Sequence, residues 1–183
     1  MRYDSRQQMM WLIERMARLL ASEAWTEGLN PTQAAALQYL ARANRFSRSP
    51  SHVADYLLAT RGTVSQTLKA LQQKGLIAEQ RSDADRRSIS YDLTDDGHAL
   101  VKEYVTDSPT TFPVTDDLAD AASENLSAVM QEWLTARNAR PFGLCRNCQY
   151  HQVSGKKRHC ALLAVDLAPS EADKICFEQQ AAP

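Results

Sequence analysis

Four cysteines carry the most distinctive chemistry in this sequence. Cys145, Cys148, Cys160 and Cys176 are its full complement, and all lie in the last 39 residues with the spacing C-x2-C-x11-C-x15-C. A two-residue gap places two thiolates on one centre, and two more complete the four soft ligands that zinc or an iron-sulfur cluster takes. So short a tail cannot fold on an apolar core alone, so bound metal would supply folding free energy. Structural zinc sites commonly pair two close knuckles, whereas Cys160 and Cys176 stand apart in separate segments. The pattern therefore favours an iron-sulfur cluster, 2Fe-2S or 4Fe-4S, with zinc as the alternative. His151 and His159 lie inside the loop, but four cysteines suffice, so both are expected at the surface or donating to a sulfur. Arg146, Lys156, Lys157 and Arg158 either offset the charge of a thiolate cluster or are solvated.

A second set of residues suits a polyanion. If Val64, Leu68 and Leu71 mark the core side of a helix, then at 100° per residue Gly62, Gln66, Lys69 and Gln73 face the other way, flanked by Thr63 and Ser65. Gln66 can pair bidentately with an adenine edge, Thr63 and Ser65 can serve phosphates or bases, and Lys69 a phosphate. The stretch Arg81-Ser82-Asp83-Ala84-Asp85-Arg86-Arg87-Ser88 would project beside that helix and offer an arginine to the minor groove. Asp85 is expected to hold a neighbouring arginine by a bidentate pair. His52 and His98 read as ordinary surface groups, with His52 in reach of a phosphate.

These residues need positioning elements. Met9, Leu12, Ile13, Met16, Leu19 and Leu20 recur at helical spacing, and with Trp11 and Trp25 they predict an amphipathic helix over about residues 5 to 26. Asn30-Pro31 and Ser49-Pro50 are start signals for a second and a third helix. The second carries Leu37 and Leu40; the third is short and buries Val53, Ala54, Leu57 and Leu58. Thr60 caps a fourth helix and Gly75 stops it in the left-handed conformation. Leu76 to Arg81 and Ser88 to Leu93 then read as a hairpin with a basic tip. A helix follows from Thr94, weakened by Gly97 and broken by Ser108 to Pro113. Thr115 caps a last long helix, with Leu118, Ala122, Leu126, Val129 and Trp133 on one face and Pro141 ending it. The composition shifts near residue 140.

Two short helices followed at once by a hairpin make a winged helix whose second helix enters the major groove. Four segments, Leu57-Leu58-Ala59-Thr60-Arg61-Gly62-Thr63-Val64-Ser65, Leu71-Gln72-Gln73-Lys74-Gly75-Leu76-Ile77, Asp85-Arg86-Arg87-Ser88 and Leu93-Thr94-Asp95-Asp96-Gly97, resemble the MarR family of transcription regulators in order and spacing. The resemblance covers roughly residues 5 to 140. It implies a mainly α fold with a small two-stranded antiparallel wing, a homodimer built by the N- and C-terminal helices, and a pseudo-palindromic double-stranded DNA operator as partner. The DNA-contacting set would be Arg61, Gly62, Thr63, Ser65, Gln66, Lys69, Arg81, Asp85, Arg86 and Arg87. Two features depart from the family: the 108 to 113 interruption and the cysteine tail. The chain is thus read as a DNA-binding and dimerisation domain over 1–140 and a metal-stabilised tail over 141–183.

Charge supports this division. Residues 42 to 90 hold nine Lys/Arg against four Asp/Glu, and residues 91 to 135 hold one against ten. A basic block beside an acidic one lets one face meet a polyanion while the other limits indiscriminate binding. With 183 residues, 44% hydrophobic content and no apolar run of membrane-spanning length, a membrane protein is excluded, and the absence of a secretory pattern near Met1 predicts a cytoplasmic protein without disulfides. The reading that follows is a homodimeric repressor whose cluster reports redox state, oxygen or iron. A tail packed on the dimer helices would alter the spacing of recognition helices. The alternative is a regulator with a structural zinc tail and a small aromatic effector. A thiol or cluster redox enzyme ranks below both, because no strand-helix alternation surrounds Cys145 and no catalytic constellation stands out. An enzyme is not expected.

Overall fold

The structure, a computed structural model, describes residues 4–23, 28–81, 89–105 and 114–180. Helix α1 spans Ser5–Glu23, α2 Pro31–Arg42, α3 Pro50–Leu57 and α4 Arg61–Gln73. Three of these starts are fixed locally. The side chains of Asn30, Ser49 and Thr60 each accept a backbone N–H from three residues on, and Gln33 closes a full capping box on Asn30. Helix α4 gives way at Gly75, whose φ of +73° is the left-handed stop.

Strands β1 (Ile77–Arg81) and β2 (Ile89–Leu93) pair antiparallel, with Ile77 opposite Leu93 and Arg81 opposite Ile89. Helix α5 (Asp95–Val105) packs back on them. Gly97 sits inside α5, where a Cβ would lie 2.1 Å from the Leu76 carbonyl oxygen. Only glycine permits that approach, so the residue that weakens the sequence case for the helix is what lets it pack. The core joins Leu37, Tyr39 and Leu40 of α2, Val53 of α3, Val64, Leu68 and Leu71 of α4, and Ile77. Burying each such aliphatic side chain contributes roughly 1.5–3 kcal/mol. Leu58 departs from expectation: it caps α3 at φ +50° and is 79% exposed, because the left-handed cap turns its side chain outward.

Helix α6 runs Asp116–Thr135 from the Thr115 cap, ending six residues before Pro141. No residue of α6 is buried. Leu118, Leu126, Met130 and Trp133 are exposed, as are Met10, Trp11, Leu12 and Leu20 of α1. Trp25 and the 108 to 113 interruption lie outside the described residues.

The tail forms two small sheets. Strand β3 (Gly143–Leu144) pairs with β7 (Ile175–Cys176), and β4 (His151–Ser154), β5 (Lys157–Cys160) and β6 (Val165–Leu167) form an antiparallel three-stranded sheet. It docks chiefly on the α2–α3 connector rather than on the dimer helices expected above. The Asn44 N–H donates to Ile175 O at 2.8 Å, and Lys174 Nζ donates to Ala41 O at 2.6 Å. Arg45 donates to the Glu171 carboxylate and to Asp166 O, each at 2.9 Å. Phe142 enters the winged-helix core, edge-on to Tyr39, Tyr56 and Phe177. The physical reason is that the connector, unlike α6, presents unpaired backbone groups and an aromatic hollow that an extended segment can fill. No described helix is long and apolar enough to cross a membrane.

Candidate nucleic-acid interface and cysteine module

Helix α4 presents the row inferred from periodicity. Val64, Thr67, Leu68 and Leu71 are buried, and Arg61, Gly62, Thr63, Ser65, Gln66, Lys69 and Gln73 are all exposed. Thr63 also serves the helix itself: its hydroxyl meets that of Thr60 at 2.8 Å and its carbonyl accepts from Thr67 Oγ1. Gly62 has no side-chain atom to hold off a phosphate, and a Cβ there would meet only Thr60 Oγ1 at 3.9 Å.

The charge count overstates what faces outward. Arg45 pairs with Glu171, Arg48 with Asp92 and Arg81 with Glu79, while Lys74 donates to Gly28 O. Among the described residues this leaves Arg61 and Lys69 as exposed charges of the basic block outside any ion pair or hydrogen bond. Arg81 stands at the end of β1, 63% exposed at its side chain and steered by Glu79. Asp85, Arg86 and Arg87, with the rest of the hairpin tip, lie outside the described residues.

The tail gathers the four cysteines, none of them in a disulfide. Cys145 opens a 3-10 turn and the Cys148 N–H donates to its carbonyl at 3.1 Å, so the C-x2-C segment is a knuckle. Cys160 lies across from His151, and Cys176 across from Gly143. Burial pushes the Cys145 thiol up to about 12, and Cys176, Cys160 and Cys148 add to that rise. Cys176 is also raised by burial, against hydrogen bonds from Asn44, the Glu178 backbone and Ser47. Among the described residues, no group of three or more His, Cys, Asp or Glu side chains is arranged to hold a metal ion. The chain thus brings the thiols into one module, with each sulfur engaged by its own neighbours.

Those neighbours were partly foreseeable. His151 Nδ1 lies 3.3 Å from Cys145 Sγ, the place expected for a residue donating to sulfur, and His159 meets Asp166 at 3.0 Å. Arg146 is held by Asp173. His52 is not the phosphate-side group expected: its ring stacks on Phe177 of the tail at 3.7 Å, and burial lowers its pKa below the ordinary 6.5. Asn44, Ser47, Lys174 and Phe177 escaped sequence reasoning. The sole signal for them was an aromatic residue at each end of an otherwise polar tail, Phe142 and Phe177.

A sequence model of the MarR family matches residues 27–88. The organic hydroperoxide resistance transcriptional regulator of Bacillus subtilis is 47% identical over 51 residues, 28% of this chain and 34% of that protein. The HTH-type transcriptional regulator PecS of Dickeya dadantii is 33% identical over 64 residues, 35% of this chain and 39% of that protein. The matched region therefore spans little more than a third of either relative. Among solved structures, a MarR transcriptional regulator from Methanosarcina mazei superposes with a TM-score of 0.58 at 20% identity, covering 70% of this chain and 97% of that one. The MepR protein of a Staphylococcus aureus MepR–DNA complex gives 0.54 at 18% identity, covering 72% and 99%. At such identities these two speak for the fold.

Proposed function

We propose that this chain, which carries a MarR-family winged helix across residues 27–88, is a DNA-binding transcriptional regulator acting as a homodimeric repressor. The observation that carries the reading is the exposed row on α4, Arg61, Gly62, Thr63, Ser65, Gln66, Lys69 and Gln73, set on a helix whose opposite side is buried. Gln66 reads a base edge in the major groove, Thr63 and Ser65 contact phosphates or bases, and Lys69 and Arg61 fix register on phosphates. Arg81, Asp85, Arg86 and Arg87 serve the adjacent minor groove. Homodimerisation is favoured by the apolar stripes of α1 and α6, which remain exposed in the single chain. The test is selection of a duplex from a random pool by the full chain. Gln66→Ala should relax base preference at one position by about 1–3 kcal/mol, whereas Lys69→Ala should weaken all duplexes alike and flatten the salt dependence. A chain that retains no duplex above background would defeat the reading.

Regulation is assigned to the tail. Cys145, Cys148, Cys160 and Cys176 hold an iron-sulfur cluster, 2Fe-2S or 4Fe-4S, that makes DNA affinity respond to redox state, oxygen or iron. Four thiols in a module with a small core fit that group, and the module lies directly against the connector that starts the helix-turn-helix. The bound group would supply a site that oxidants or iron limitation dismantle; the chain's part is to hold four thiolates and to transmit their loss. Iron and sulfide assays with an absorbance spectrum, all on anaerobically purified protein, test the cofactor. Operator affinity of loaded and stripped dimers tests the signal, with a difference of about 5- to 150-fold expected. One observation favours the alternative of a structural zinc and a small aromatic effector: a cavity of about 340 Å³ between α6 and the tail, lined by Gln131, Arg140 and Phe177 among others. A colourless protein with stoichiometric zinc that binds such an effector would select it.

A further inference from the structure

Cys176 is a tail residue whose surroundings belong to the winged helix. It is 7% exposed, and both of its chain neighbours are tied to the α2–α3 connector. Ile175 O accepts from the Asn44 N–H, and the Phe177 N–H donates to Ser47 Oγ, each at 2.8 Å. Asn44 and Ser47 are 2% and 0% exposed, hydrogen-bond to each other at 2.7 Å, and are the side-chain hydrogen-bonding neighbours of the Cys176 sulfur. Cys145, by contrast, has His151 from its own module. Burying two polar side chains at a connector is unfavourable unless their hydrogen bonds are satisfied, and here the satisfied set converges on one sulfur.

We propose that Asn44 and Ser47 are positioning residues for the Cys176 thiolate, so that the four-thiol centre is completed by the helix-turn-helix unit and is reciprocally coupled to DNA binding. This rests on the reading of the four cysteines as a metal centre. A ligating thiolate accepts hydrogen bonds and donates none. The Ser47 hydroxyl can then turn from Asn44 Oδ1 to the sulfur, while Asn44 Oδ1 keeps the Phe46 N–H at 3.1 Å. A protonated thiol returns the corner to the Ser47–Asn44 bond. The same corner sets the reading elements: Ser49 caps α3, and Arg48 O accepts the Tyr91 N–H of β2 at 3.1 Å. The ligation state of one sulfur therefore reaches both the first helix of the reader and the wing.

The experiment titrates the full chain with Co(II) alone and follows thiolate-to-cobalt charge-transfer absorption, with and without a duplex selected as above. Ser47→Ala should lower Co(II) affinity by about 10- to 100-fold, the usual effect of removing an outer-shell partner, and should weaken the charge-transfer band. Tyr39→Phe is the control, because Tyr39 Oη donates to the Ser47 carbonyl at 2.6 Å in an equally buried place but leaves the sulfur untouched; its Co(II) affinity should match wild type. Reciprocity needs no variant: saturating duplex should change Co(II) affinity by the same factor as Co(II) changes duplex affinity. A Ser47→Ala chain that binds Co(II) like wild type, or wild type without the reciprocal shift, overturns the proposal while leaving the metal centre standing. A wild-type chain with no charge-transfer band overturns both.

Discussion

At the scale of single residues, the structure turns on a few side chains whose surroundings invert their usual behaviour. His52 is the clearest. Its ring stacks on Phe177 and its Nδ1 is buried with no hydrogen bond among the described residues. Burial lowers its pKa below 6.5, outweighing the upward pull of Glu178 and Asp55. The folded chain thus prefers the neutral ring, and the unfolded chain takes up the proton first. The stabilisation is complete above about pH 6.5 and is lost as the pH falls through that value towards the folded pKa. Replacing His52 with Phe, which keeps a stacking ring, should flatten the fall in melting temperature between about pH 7.5 and pH 5. Equal slopes for the two proteins would show that His52 carries none of this linkage. Gly97 offers a second case. Gly to Ala inside a helix ordinarily gains about 1 kcal/mol, but here the added Cβ would meet the Leu76 carbonyl oxygen at 2.1 Å. Gly97→Ala should therefore lose about 1–3 kcal/mol, read by thermal or urea unfolding; a gain in stability would mean that α5 does not pack so closely on the start of the hairpin.

At the scale of elements, local signals carried far and long-range ones did not. The caps at Asn30, Ser49 and Thr60 and the stop at Gly75 were legible because each depends on residues three or four apart. The outward row of α4 was legible because Val64, Leu68 and Leu71 repeat at helical spacing. The docking of the tail was not, since Asn44 and Ser47 meet Ile175 and Phe177 about 130 residues away, as the Phe177–Ser47 bond records. Nothing in a stretch as polar as Asn44-Arg45-Phe46-Ser47 announces a buried corner. The spacing of the cysteines gave their common module but not the partner each sulfur takes. One element-scale consequence is measurable. Thr60 both caps α4 and meets the Thr63 hydroxyl, so Thr60→Ala should cost about 1 kcal/mol of stability and weaken binding to the selected duplex. Thr60→Ser keeps the capping oxygen and should retain most of both. If the alanine and serine variants bind DNA alike, the first turn of α4 does not depend on its cap.

At the scale of the whole molecule, the distribution of apolar surface asks for a second copy. The winged helix closes its own core, from Leu37 to Leu93, and the tail closes on the connector. Helices α1 and α6 close on neither: α6 buries no residue, and Trp11 and Trp133 are 57% and 42% exposed. Contiguous apolar faces of this extent are uncommon on monomers and mark interaction surfaces. A two-fold partner suits DNA reading as well, since two recognition helices one turn of duplex apart double the contacts with a pseudo-palindrome. The acidic residues of α5 and α6, Asp95, Asp96, Asp116 and Asp117, sit at helix N-termini, where they favour the helix dipole and keep that side of the molecule from phosphates. Introducing a charge into the stripe should separate the copies: Trp133→Glu should sediment as a monomer where wild type sediments as a dimer. Its winged helix, distant from the change in sequence, should keep its fold by circular dichroism. Each monomer would then cover a single half-site, so affinity for the selected duplex should fall by orders of magnitude and the protected length should halve. A monomeric variant that still protects the full site would show that the two half-sites are read without the helices joining them.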